Sequence, residues 1–191
     1  KTAWLASLYR HGIHIPQTVC ITTKAYTDFI NHNGLKEKIG LELNRKQFKD
    51  MRWEEMWDAS LRIRNLFLKT SLPGDLEEEI RQALRHHFTD LQVAVRSSAV
   101  DEDGGSNSFA GLHDSFLGLA GIDEIVTAIK RVWGSLWSDR AILYRKELSL
   151  SLEESSMAVV VQQFVEGKCS GICFTHDPVE SGRMVIESVH G

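Results

Sequence analysis

Cysteine and proline are both scarce in this sequence, with three of each in 191 residues. Cys20, Cys169 and Cys173 cannot all pair, which excludes a disulfide framework and points to a reduced, cytoplasmic setting. Cys169 and Cys173 are four apart, yet no second Cys or His pair with zinc-ligand spacing accompanies them. Each cysteine lies in an apolar, strand-like stretch, so buried thiols are the expectation. No apolar run approaches the roughly 20 residues of a membrane span, the longest centring on Ala158 to Val161. No basic-plus-apolar leader precedes Ala3, so neither a signal peptide nor an anchor is expected, and Lys1 in place of methionine suggests a start further upstream. Charge of one sign is lacking too. The 22 Lys and Arg against 26 Asp and Glu give a formal net charge of −4. The basic residues are spread along the chain, leaving no electrostatic footprint for a nucleic-acid backbone.

What is present is 42% hydrophobic and 25% charged, enough for a packed core in one ordinary domain, or in one complete lobe and part of another. Thr2 reads as the N-cap of a short amphipathic helix carrying Trp4, Leu5, Leu8 and Tyr9 and ending at Gly12. An extended segment with Pro16 follows, then a helix from Lys24 to about His32, stopped by Asn33-Gly34. Asn44 to Lys69 is the longest periodic stretch, and its Phe48, Met51, Trp53, Met56, Trp57, Leu61 and Phe67 read as a core stripe. Leu72-Pro73-Gly74 breaks the chain, and Asp75 with Glu77, Glu78 and Glu79 opens a helix with acid at its positive end.

Gln92 to Arg96 reads as a short buried strand that runs into a polar, glycine-containing loop over Ser97 to Gly111. Phe116 to Leu119 returns as a strand, and helices follow over Ile122 to Trp137 and Asp139 to Glu147. Strands are expected at Met157 to Val165, Ser170 to Thr175 and Met184 to Ser188, bounded by short turns like an antiparallel meander. The order does not alternate as a doubly wound sheet would, so the fold class is α+β.

The segment from Val95 to Gly111 holds a guanidinium at a strand end, then hydroxyls, then glycines that let backbone N–H groups approach a ligand. A planar fork of donors beside a concavity of N–H groups suits a polyphosphate. Neither a Walker loop nor a dinucleotide fingerprint is present. The plainer alternative is a solvated loop in which Arg96 pairs with Asp101 or Glu102. Arg140 and Arg145 are open between a phosphate channel and a solvated helix face, and Ser97 and Ser98 between phosphate contacts and loop capping.

Val95 to Leu117 resembles the arginine-serine-serine-alanine and serine-phenylalanine-alanine-glycine signature of the ATP-binding domain of phosphoenolpyruvate synthases, pyruvate phosphate dikinases and rifampicin phosphotransferases. Four further stretches fall in the family's order. They are Lys1 to Ala6 with Gly12 and Pro16, Cys20 to Tyr26, Trp133 to Arg145, and Val159 to Val165 continuing into Ser170 to Pro178. The resemblance implies an ATP-grasp fold: residues 1–165 as the N-terminal lobe with a hinge at 162–165, and 166–191 as the start of a second lobe. It also implies that Lys1 and Arg96 bind ATP phosphates, that Ser115 adds a hydroxyl contact, and that Gln162, Gln163, Phe164 and Val165 hold adenine. The implied reaction is transfer of the ATP β-phosphoryl group to a histidine on a separate domain, with magnesium held by carboxylates beyond this chain. Acceptor-binding domains would complete the parent protein, and this piece alone would not turn over. None of the eight histidines has the threonine-serine-histidine context of the phosphorylated residue; His113 is expected at the surface. This chain differs from the family pattern at Ser115, commonly threonine, at Leu112, usually glutamine, and at Gly104-Gly105. The alternative reading is a non-catalytic nucleotide-binding or interaction module with the same fold.

Overall fold

A computed structural model describes residues 1–46, 50–99, 111–148, 155–175 and 182–190. Phe48, residues 100–110 with Asp101, Glu102, Gly104 and Gly105, residues 176–178 and Gly191 lie outside the described residues.

The elements run α1 (Thr2–Arg10), β1 (Thr18–Ile21), α2 (Thr23–His32), α3 (Leu35–Leu43), α4 (Trp53–Lys69), α5 (Gly74–Phe88), β2 (Val93–Ala99), β3 (Ser115–Leu119), α6 (Ile122–Gly134), α7 (Asp139–Glu147), β4 (Met157–Gln163), β5 (Cys169–Phe174) and β6 (Val185–His190). The α+β reading holds. Strands β1, β4, β2 and β3 form one antiparallel sheet in that order, while β5 and β6 form a separate antiparallel hairpin. The expected terminal meander is therefore corrected: β4 leaves its sequence neighbours and enters the first sheet between β1 and β2. Its run of Val159, Val160 and Val161 explains this, since all three are buried and a strand apolar on both faces belongs inside a sheet.

One face of the sheet presents Val93 and Val95 of β2 and Val159 and Val161 of β4 to a helical layer, all fully buried. An aromatic cluster binds that layer together. Trp133 of α6 stacks on Phe29 of α2 at 5.4 Å and meets Tyr26 edge-on at 5.9 Å, while Phe67 of α4 lies 6.2 Å from Tyr26 and 5.9 Å from Phe29. Helix α7 joins through Arg145, buried at 2% exposure, whose Nη1 donates to the Leu136 carbonyl at 3.0 Å. That settles Arg145 as a structural residue. Arg140 is exposed and approaches Asp114 at 3.9 Å.

Several local expectations change. Thr2 is the first residue of α1 and Lys1 its N-cap. Ser97 to Ala99 extend β2, because they continue its pairing with Met157 to Val159 of β4. Trp53 and Trp57 are 58% and 44% exposed, and Leu61 is exposed beside them. The buried stripe of α4 is Met56, Ala59, Ser60, Ile63 and Phe67. Trp57 follows Met56 by one residue and so stands about 100° around the helix from it. Cys169 and Cys173 are exposed, because β5 pairs with β6 alone and no layer covers it among the described residues, while Cys20 on β1 is half-buried. His113 is half-buried, with Nδ1 3.4 Å from the Ser135 carbonyl.

Burial pushes the Tyr26 phenol up to about 12, against the opposing pull of Trp137 and Arg145. The unfolded phenol ionises near 10, so Tyr26 contributes stability that is whole below pH 10 and is lost as pH rises through about 12. Two pH units correspond to on the order of 2–3 kcal/mol. Urea unfolding of the wild type should show this loss between pH 10 and 12, and Tyr26→Phe should flatten that part of the profile.

Candidate functional site

The second face of the sheet is assembled by strand alternation. On β2, Ala94, Arg96 and Ser98 point away from the helical layer that takes Val93 and Val95. The register sets Thr18 beside Gln162 beside Ala94, and Val160 beside Arg96 beside Ser115. Arg96 and Ser115 are thus direct cross-strand neighbours. A bulge lies between the Val93–Leu119 and Val95–Phe116 pairs, so Leu117 and Gly118 together stand opposite Ala94. Gly118 takes φ +68°, a left-handed conformation that a side chain would strain. Behind the bulge, Arg131 of α6 lies 4.4 Å from the Phe116 ring centre and ties β3 to the helical layer.

A cleft of about 360 Å³ opens on this face, lined by Arg96, Ser115, Gln162, Gln163, Phe164 and Val165 together with Pro16, Ala94 and Leu117. Its volume falls within the roughly 300–1,000 Å³ of small-molecule sites. The walls are held by hydrogen bonds. Gln162 Nε2 donates to Thr18 Oγ1 at 2.9 Å, and that hydroxyl donates to the Pro16 carbonyl at 2.7 Å. The Gln163 and Phe164 N–H groups donate to the Gln17 and Gln92 carbonyls, each at 2.8 Å.

Lys1 stands outside that lining but on the same side of the sheet. Its main-chain nitrogen is 3.4 Å from Ser98 Oγ, and Thr2 Oγ1 is 3.4 Å from Cys20 Sγ. The N-terminal end of α1 therefore rests on the strand positions next to Arg96. Six of the seven residues singled out in the sequence line one cleft, and the seventh caps the helix beside it. Sequence reasoning missed Pro16, Ala94 and Leu117. Period-two alternation would have found the last two, since Ala94 precedes Arg96 by two and Leu117 follows Ser115 by two.

A larger cavity, about 570 Å³, lies between the end of α5 and the start of α6, with Arg85, Phe88, Asp90, Ile122 and Ile125 in its walls. Its one basic side chain is engaged by Glu78 at 2.6 Å, and it holds none of the signature residues. The smaller cleft combines a guanidinium, a hydroxyl and an extended segment, as a phosphorylated ligand requires. Among the described residues no group of three or more His, Cys, Asp and Glu is placed to hold a metal ion, and the cleft lining carries no carboxylate. No helix among the described residues is long and apolar enough to cross a membrane.

Residues 1–191 match the family described as pyruvate phosphate dikinase, AMP/ATP-binding domain. The chain belongs to that family. It is 37% identical over 97% of its length to a probable phosphoenolpyruvate synthase of Staphylothermus marinus, and covers 23% of that protein. It is 34% identical over 92% of its length to the rifampicin phosphotransferase of Bacillus cereus, covering 20% of it. A prodigiosin synthesizing transferase of Serratia marcescens is 33% identical over the whole chain, which again covers 20% of the relative. The chain thus spans about a fifth to a quarter of the curated relatives it matches.

The two faces of β2 give opposite expectations for neighbouring residues. Val95→Ala should cost about 2 kcal/mol by removing fully buried methyl groups, whereas Arg96→Ala should change stability by less than about 0.5 kcal/mol. Urea midpoints of the two variants check this, and equal losses would contradict the assignment of faces.

Proposed function

We propose that this dikinase-family domain binds ATP in the 360 Å³ cleft, as the N-terminal lobe of an ATP-grasp fold with its hinge at Gln162–Val165 and the second lobe beginning at Glu166. The observation that carries this reading is the convergence of Arg96, Ser115 and residues 162–165 on one cleft in a chain of the AMP/ATP-binding family. Arg96 neutralises phosphate oxygens with its planar fork, Ser115 adds a hydroxyl from the adjoining strand, and Lys1 adds charge from the end of α1. With the Gln163 and Phe164 N–H groups already committed to Gln17 and Gln92, the purine edge is read by the Val165 N–H and by carbonyls beyond Gln163. Phe164, Leu117 and Ala94 offer apolar surface to the base.

In the parent protein the domain supplies ATP for transfer of the β-phosphoryl group to a histidine on a separate domain, in the manner of a dikinase-type phosphotransferase such as phosphoenolpyruvate synthase. Magnesium would neutralise the developing charge and is held by carboxylates outside these residues. The acceptor is chosen elsewhere as well, because relatives named for phosphoenolpyruvate, rifampicin and prodigiosin share this one domain. The domain alone does not turn over, and it works in the cytoplasm.

Calorimetry with ATP tests the phosphate role. A lost charge-assisted pair costs about 1.5–3 kcal/mol, so Arg96→Ala should weaken ATP binding about 10- to 100-fold, with Arg96→Lys in between. An unchanged affinity for Arg96→Ala would remove the phosphate assignment.

A further inference from the structure

Thr18 holds the side chain of Gln162 from behind, and elementary chemistry fixes the direction of each hydrogen bond between them. The Pro16 carbonyl can only accept, so the Thr18 hydroxyl, 2.7 Å away, directs its one proton there. Its oxygen is then an acceptor towards Gln162, 2.9 Å away, and the amide must turn Nε2 to it. The reverse orientation would set Oε1 against the Thr18 lone pairs, two acceptors in a part-buried contact with no proton between them. A planar amide with its nitrogen committed to β1 keeps its oxygen on the other side. On that side Gln162 pairs with Ala94 of β2, a small residue that shares the cleft wall with it. No donor among the described residues engages Oε1.

We infer that Thr18 is a specificity-determining residue of the nucleotide cleft. Acting through Gln162, it presents an acceptor to the base and selects a purine bearing an exocyclic amino group over one with a carbonyl in its place. The inference rests on the ATP reading of the cleft given above. The adenine amino group donates to Oε1 while the ring nitrogen beside it accepts from the Val165 N–H. An oxo purine reverses both groups, setting a carbonyl oxygen against Oε1 and a ring N–H against the Val165 N–H. Polar groups left facing their own kind cost more than the hydrogen bonds they replace, which is how one fixed amide discriminates. Thr18 is not itself in the cleft lining, so its role is positioning.

Calorimetry of the full chain with ATP and with inosine triphosphate, which differ only in the base, reads the ratio of the two affinities. Wild-type protein should bind ATP about 10- to 100-fold more tightly than inosine triphosphate. Thr18→Val removes both hydrogen bonds and frees the amide to rotate, so the ratio should fall at least about fivefold. Gln162→Leu, which removes the acceptor itself, should lower it as well. Thr18→Ser keeps the hydroxyl and should keep the ratio. Arg96→Ala should weaken both nucleotides alike, because their phosphates are the same. A wild-type ratio near one, or an unchanged ratio in Thr18→Val or Gln162→Leu, would overturn the inference and leave the cleft reading standing. Unchanged affinities for both nucleotides in Arg96→Ala would instead remove the cleft reading, and this inference with it.

Discussion

Val95 and Arg96 are neighbours in the chain and face opposite sides of one sheet, and this alternation is the constraint on which the molecule depends. Val95 is fully buried against the helical layer, with Val93 before it and Val159 and Val161 on the adjoining strand. A slip of one residue in the pairing of β2 with β4 would drive Arg96 into that apolar layer and expose Val95. The cost of burying an unpaired guanidinium excludes the slip. The aromatic cluster of Tyr26, Phe29, Phe67 and Trp133 thus does more than join three helices. It presents the surface on which the strands take their register, and the register points Arg96 into the cleft beside Ser115.

Charge follows the same logic. A chain with a net charge of −4 has no overall attraction for a polyphosphate, and in the proposed reading the basic groups that matter are positioned one at a time. Arg96 is delivered by strand alternation and Lys1 by a helix whose first turn rests on Ser98 and Cys20. Other basic residues are spent on structure, such as Arg145 on the Leu136 carbonyl and Arg81 on Glu77 and Asp123. The extended segment after β4 is likewise stitched to Gln17 and Gln92, so that wall of the cleft is built before any ligand arrives.

Local chemistry was legible in the sequence, and long-range pairing was not. Arg96 at a strand end, ahead of hydroxyls and glycines, is marked by its own local pattern, whereas Ser115 and Gln162 to Val165 are singled out only by the resemblance to the dikinase family. That β4 sits between β1 and β2, more than a hundred residues earlier for one partner, has no local signature, and sequence pattern alone places it in a terminal meander. Periodicity marked α4 as amphipathic but could not say which apolar residues face inward. Met56 and Trp57 differ by one position and by the whole distance between core and solvent. The cysteines of β5 differ for a related reason: an apolar strand context predicts burial only when another layer covers the strand, and among the described residues β5 pairs with β6 alone.

The central claim is that ligand chemistry belongs to the Arg96 face of the sheet and not to the larger cavity by α5 and α6. Amide hydrogen exchange with and without ATP tests it across the whole domain at once. The account expects added protection confined to Ala94–Ser98, Ser115–Leu117 and Gln162–Val165. Protection centred instead on Phe88–Gln92 and Gly121–Ile125 would contradict it.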